Sequence, residues 1–162
     1  MVGNFSKGRS GNKIYRGYFH RTAVLGDTSI GEANYFHNHY LQASFYKVID
    51  LAGNIMQSVL ATDTEFAVNE WDENMISLNY EFTGLQGSKL TPAQIKAVAA
   101  DIKADPNAKG IANHRLSIAE IKPRKVSGWA NHKDVTTAYS IFGGHTDAIS
   151  EAEIAQILKA IK

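Results

Sequence analysis

The sequence predicts an α+β fold in which an antiparallel sheet packs around a long central helix, with two additional helices. Three observations carry that reading. Apolar residues from Phe36 to Ala52 recur at three- and four-residue intervals, the period of a helix with one buried face. Met75 to Thr83 instead alternates apolar and polar residues, the period of a strand. Two capping boxes, Thr91 to Gln94 and Ser150 to Glu153, open further helices. Strands grouped in pairs between helices favour an antiparallel sheet covered on one face.

Taken in order, residues 1–12 hold three glycines and no apolar period, and read as a mobile basic arm before a single domain over 13–162. A strand follows over Lys13 to Leu25, with Ile14, Tyr15, Tyr18, Phe19 and Val24 as its bulky members. Gly26, Asp27, Thr28, Ser29 and Gly31 form a dense turn signal, and Asp27 or Ser29 is available to cap the next helix. That helix is predicted over Ala33 to Ala52, with Phe36, Tyr40, Leu41, Phe45, Val48 and Ile49 on its stripe. Gly53-Asn54 is its stop. Ile55 to Ala61 fits either a short helix or a strand. Glu65 to Trp71 and Met75 to Thr83 read as a hairpin turning at Asp72-Glu73-Asn74, the second strand with one face buried and one in water. The helix after Thr91 places Ile95, Val98, Ala99 and Ile102 on one face and ends before Pro106. Strands are predicted near Ala112–Ile121 and Asp134–Phe142, and the helix after Ser150 closes the chain.

Composition narrows the function classes. A chain of 162 residues with 44% apolar content has the size and composition of one globular domain. It has no cysteine, which excludes disulfides, thiolate metal sites and a cysteine nucleophile. No apolar run is long enough to span a bilayer and no secretory signal opens the chain, so a cytoplasmic protein without membrane partners is expected. Residues 1–31 carry five bases against Asp27 alone, whereas residues 32–90 carry eight acids against two lysines. The basic arm can touch phosphate or a neighbouring subunit, but a solvated terminus explains it as well, and nucleic acid is not the expected partner.

The turn before the long helix is the main candidate site. Unpaired N–H groups at a helix N-terminus can polarise a carbonyl or hold an anion. Asp27 or Glu32 supplies a carboxylate there, and Asn34 or His37 can orient a substrate. Capping by Asp27 explains the same residues. The six histidines lack a His-x-x-x-His or Glu-x-x-His pair, and His37 and His39 point to different helix faces, so no metal site and no cofactor is expected. Gly143-Gly144-His145-Thr146-Asp147 reads as a compact polar loop before a capped helix, or as a phosphate-binding turn.

The segment Tyr15 to Gly53 resembles the opening of a hot-dog-fold thioesterase, closest to acyl-processing proteins of polyketide biosynthesis. The matching pieces are His20-Arg21-Thr22-Ala23-Val24, Asp27-Thr28, Gly31 and Asn34-Tyr35-Phe36 followed by Tyr40-Leu41. The resemblance implies hydrolysis of acyl thioesters on acyl-CoA or an acyl carrier protein. It implies Asp27 as catalytic carboxylate with Glu32 beside it, and Gly31, Asn34, Tyr35 and His37 lining the substrate site. A homo-oligomer is expected. The alternatives are a non-catalytic ligand-binding or self-assembling protein on the same scaffold, and nucleic-acid binding through the arm.

Overall fold

The structure is a computed structural model that describes residues 4–22, 27–39, 41–85, 87–143 and 147–162. Its elements run β1 (Phe5–Ser6), β2 (Arg16–Arg21), α1 (Ser29–Asn38), β3 (Lys47–Ile49), β4 (Ile55–Gln57), β5 (Thr64–Glu65), α2 (Trp71–Ile76), β6 (Ser77–Phe82), α3 (Pro92–Ala104), α4 (Ile118–Ile121), β7 (Gly128–Asn131), α5 (His132–Tyr139) and α6 (Glu151–Ile161). Of the residues weighed in the sequence, Ala23, Val24, Leu25, Gly26, Tyr40, Gly144, His145 and Thr146 lie outside those described.

β1 and β5 make a small antiparallel pair. The main sheet has the order β4-β3-β6-β2-β7. Only β3–β4 is antiparallel, and β2–β6, β2–β7 and β3–β6 are all parallel. The expected antiparallel sheet around one long helix is therefore replaced by a mixed, mostly parallel sheet. Parallel neighbours need crossover connections, and helices supply them: α1 between β2 and β3, α3 and α4 between β6 and β7.

The predicted central helix divides in two. α1 stops at Asn38, and His39 takes an extended conformation with its N–H on the Tyr35 carbonyl. The chain then re-enters the sheet, where the Tyr46 N–H donates to Asn79 O at 2.9 Å. Val48 and Ile49 are β-branched, and an apolar run that fits a helix stripe fits equally a strand covered on both faces. Gly53 turns the β3–β4 hairpin at φ +85° instead of ending a helix. Asp50 accepts the N–H groups of Ala52 and Asn54 there at 3.0 and 2.9 Å.

β6 forms within the strand predicted over Met75 to Thr83, but the face expected in water is buried too. Of the hairpin partner expected at 65–71 only Glu65 lies in a strand, β5, and α2 replaces the turn expected at Asp72-Glu73-Asn74; the strands expected at 112–121 and 134–142 give way to α4 and α5. A capping box between Asn131 and Asp134 starts α5. The boxes at Thr91 and Ser150 form as read from the sequence.

Both faces of the sheet are covered. Phe19, Leu78, Tyr80, Phe82 and Trp129 pack with α3 and α6 through Val98, Ile102, Ile154 and Ile157. Tyr18 and Ala130 pack on the opposite side with Ile121 and Val135. Residues from Asn4 onward lie against this body. Arg9 is buried, donating to Ala61 O at 2.6 Å, to Asn74 O and Ser77 O at 2.9 Å, and to Glu65 Oε2 at 2.9 Å.

Candidate metal centre

Strand direction decides where the polar face of the sheet becomes a site. β2, β6 and β7 are parallel, so their C-terminal ends share one edge, the place where α/β sheets bind ligands. Alternation puts Arg16, Tyr18 and His20 of β2 on one face, and Ser77, Asn79 and Glu81 of β6 on the same one. His20 and Glu81 are register partners. Phe19 pairs with Asn131, the last residue of β7, so His132 opens α5 beside His20. The two imidazole centroids are 4.9 Å apart.

Asp147 completes the cluster. Its Oδ1 lies 2.9 Å from His132 Nδ1 and its Oδ2 lies 3.2 Å from His20 Nδ1. One donor atom from each of the three residues falls within 4.8 Å of the others. Burial opposes ionisation of Asp147, but the two imidazoles outweigh it and hold the carboxyl well below its ordinary range. His20 Nε2 lies 2.9 Å from Asn79 Oδ1, and the same amide donates from Nδ2 to Ser77 Oγ at 3.2 Å. Nε2 therefore carries the proton in the neutral ring, and Nδ1 presents a lone pair toward Asp147. That Nδ1 is buried and makes no hydrogen bond. Two electron-rich atoms facing each other need a cation or proton between them. Two imidazoles and one carboxylate suit zinc, whose catalytic sites keep a fourth position open.

Glu81 stands beside this donor set, 2% exposed. Burial, then the charges of Asp147 and Glu32, push its carboxyl well above the usual range, against the pull of Arg21. A carboxyl held that way binds a proton more tightly than an ordinary glutamate, as a group that takes a proton from water must.

Of the residues predicted to be catalytic, Glu32 acts on Glu81 through its charge, and Asp27 acts on Glu32. Glu32 is buried, and burial followed by its hydrogen bond to Asp27 pushes its carboxyl up to about 7. Asp27 does not cap α1; the Thr28 side chain does, accepting from Gly31 N at 3.1 Å. Ser29 instead binds Asp50 Oδ2 through its N–H at 3.2 Å, tying α1 to the end of β3. Gly31, Asn34 and Tyr35 are exposed, and His37 Nε2 sits 3.1 Å from Ser58 O, toward β4. None of these four joins the donor cluster. The structure brings together His20, His132, Asp147 and Glu81, which sequence spacing did not single out as a site. Their ligand atoms come from three separate elements, so no local motif spans them. The visible trace was Asn79 and Glu81 on the polar side of an alternating strand.

Neither a protein-family profile nor a curated protein matches the sequence. Solved structures do match the fold. The Staphylococcus aureus hydrolase AmiA, solved with its ligand, aligns with a TM-score of 0.70 at 18% identity, over 97% of this chain and 77% of AmiA. An AmpD structure aligns with a TM-score of 0.64 at 16% identity, over 96% and 90%. The N-acetylmuramoyl-L-alanine amidase endolysin LysCS of Clostridium intestinale aligns with a TM-score of 0.60 at 14% identity, over 98% and 90%. The chain thus has the mixed α/β fold of these proteins. It is not a hot-dog domain, and the thioesterase reading falls with the fold that implied it, together with the polyketide assignment and the acyl-CoA or acyl-carrier partners. The ligand-binding, self-assembling and nucleic-acid alternatives gain no support from it either. Among the described residues no helix is long and apolar enough to cross a membrane.

Proposed function

We propose that this chain is a zinc-dependent amide hydrolase that cuts the bond between N-acetylmuramic acid and L-alanine in peptidoglycan. The observation that carries the reading is the convergence of His20, His132 and Asp147 beside Glu81 at the C-terminal edge of the parallel strands. The amidases that share the fold support the choice of bond.

His20, His132 and Asp147 would hold the ion. When bound, zinc supplies Lewis-acid polarisation of a carbonyl and acidifies water. Glu81 takes a proton from the water that attacks the lactyl carbonyl, and returns it to the alanine nitrogen as the C–N bond breaks. Burial of Glu81 raises its proton affinity, which favours the first of these transfers.

Purified protein incubated with peptidoglycan is expected to release free L-alanine amino termini, counted by amine labelling. Chelation abolishes the release and added zinc restores it. Glu81→Gln lowers it by about 100-fold or more. Turnover that survives both chelation and Glu81→Gln sinks the assignment.

A further inference from the structure

We infer that Asn79 is a positioning residue that selects Nδ1 of His20 as the metal donor. The inference rests on the zinc reading above but concerns a residue outside the ligand set. Asn79 is fully buried in the middle of β6. Its Oδ1 is 2.9 Å from His20 Nε2, and its Nδ2 is committed to Ser77 Oγ at 3.2 Å. In this arrangement the amide presents its oxygen to the ring and its NH2 to the Ser77 hydroxyl. Its backbone is fixed as well, since Asn79 O accepts the Tyr46 N–H at 2.9 Å.

The ring itself has little freedom. The Phe45 ring packs edge-on against it at 4.9 Å, and the His132 ring stands 4.9 Å away in the other direction. A flip of the imidazole exchanges Nδ1 with Cδ2 and Nε2 with Cε1, so it would turn carbon toward both Asp147 and Asn79 Oδ1. A metal-ligating histidine is oriented, and made more basic, by the acceptor its other nitrogen meets, and loss of that acceptor lowers metal affinity about 10–100-fold. A neutral carboxamide is an unusual choice for this task. A carboxylate here would stand two residues from Glu81 on the same face, in a cluster already rich in acids. The amide orients the ring without adding charge.

Zinc affinity, measured by competition with a chromogenic chelator, tests this without reference to turnover. Wild-type protein is expected to bind one zinc per chain. Asn79→Leu, close in size but without an acceptor, is expected to bind it about 10–100-fold more weakly. Asn79→Asp, which restores the acceptor, is expected to return affinity to within a few-fold of wild type. Long-range 1H–15N NMR of the zinc-loaded wild-type protein supplies a readout that needs no variant: the His20 proton sits on Nε2. Equal affinities for wild type and Asn79→Leu, or a His20 proton on Nδ1, overturn the inference while the zinc site stands. Failure of the wild-type protein to bind zinc removes both.

Discussion

Glu73 offers the sharpest test of how the sheet and the site-bearing helix are joined. Its carboxylate is fully buried and accepts from Arg16 Nη1 at 2.9 Å to each oxygen, from Tyr18 OH at 2.5 Å, from Tyr139 OH at 2.9 Å and from Arg124 Nε at 3.2 Å. Burial first and Glu73 second push the Tyr18 and Tyr139 phenols above their ordinary range, so both remain donors at any working pH. Arg16, also fully buried, spends its other N–H groups on the carbonyls of Glu120, Ile121 and Val126. Replacing Glu73 by Leu strips a buried cation of its counter-ion, a loss worth about 3–5 kcal/mol. For a chain of this size that corresponds to a fall in Tm of roughly 10 °C or more. Arg16→Met alone leaves the Glu73 carboxylate with the exposed-side Arg124 and should cost a similar amount. The pair changed together removes both charges, so its effect is expected to be well below the sum of the two. Urea unfolding of the four proteins in chelator, which keeps zinc linkage out of the comparison, measures this coupling. Additive effects, or a Glu73→Leu variant within about 1 kcal/mol of wild type, would refute the buried-pair account.

Two further outcomes follow from local geometry. A Cβ on Gly17 would lie 2.1 Å from the Trp129 ring, which is stacked on Phe19 and cannot retreat, so Gly17→Ala should destabilise by at least about 1–3 kcal/mol, seen as a lower urea midpoint at unchanged slope. The raised carboxyl of Glu32 means the folded chain holds more protons than the unfolded one between about 4.5 and 7, so stability falls as pH rises through that window; Glu32→Gln should flatten the slope and leave the metal-free variant more stable than wild type at pH 8, by about 1–3 kcal/mol.

Local chemistry was legible in the sequence and long-range topology was not. The capping boxes at Thr91 and Ser150 are complete within four residues, and both helices form where those residues require. The strand at Ser77–Phe82 was legible too, but not its surroundings. Ser77, Asn79 and Glu81 read as a solvent face, whereas α4 and α5 cover that side and make it the site face. Parallel pairing has no hairpin turn to announce it, so nothing near His20 or Glu81 indicates that they are neighbours. The Phe36–Ala52 stripe misled because its spacing serves a helix up to Asn38 and a doubly covered strand from Lys47. The same failure hid the metal donors. His132 sits in a stretch whose Val135, Thr137, Tyr139 and Ile141 alternate like a strand, although Val135 and Tyr139 are also one helical turn apart.

The central position of β2 has a consequence for assembly of the molecule. Its two neighbours come from the middle of the chain and from near its end, so the strand early in the sequence is completed by one of the last to be made. Such pairings close slowly, because a long loop must be ordered before any contact repays it. The donor triad draws on β2, on the start of α5 and on the segment before α6, and no contiguous fragment holds all three. The donor cluster therefore comes together as a late event, once β7 and the segments after it have docked, and not as a preformed nucleus around which the rest condenses.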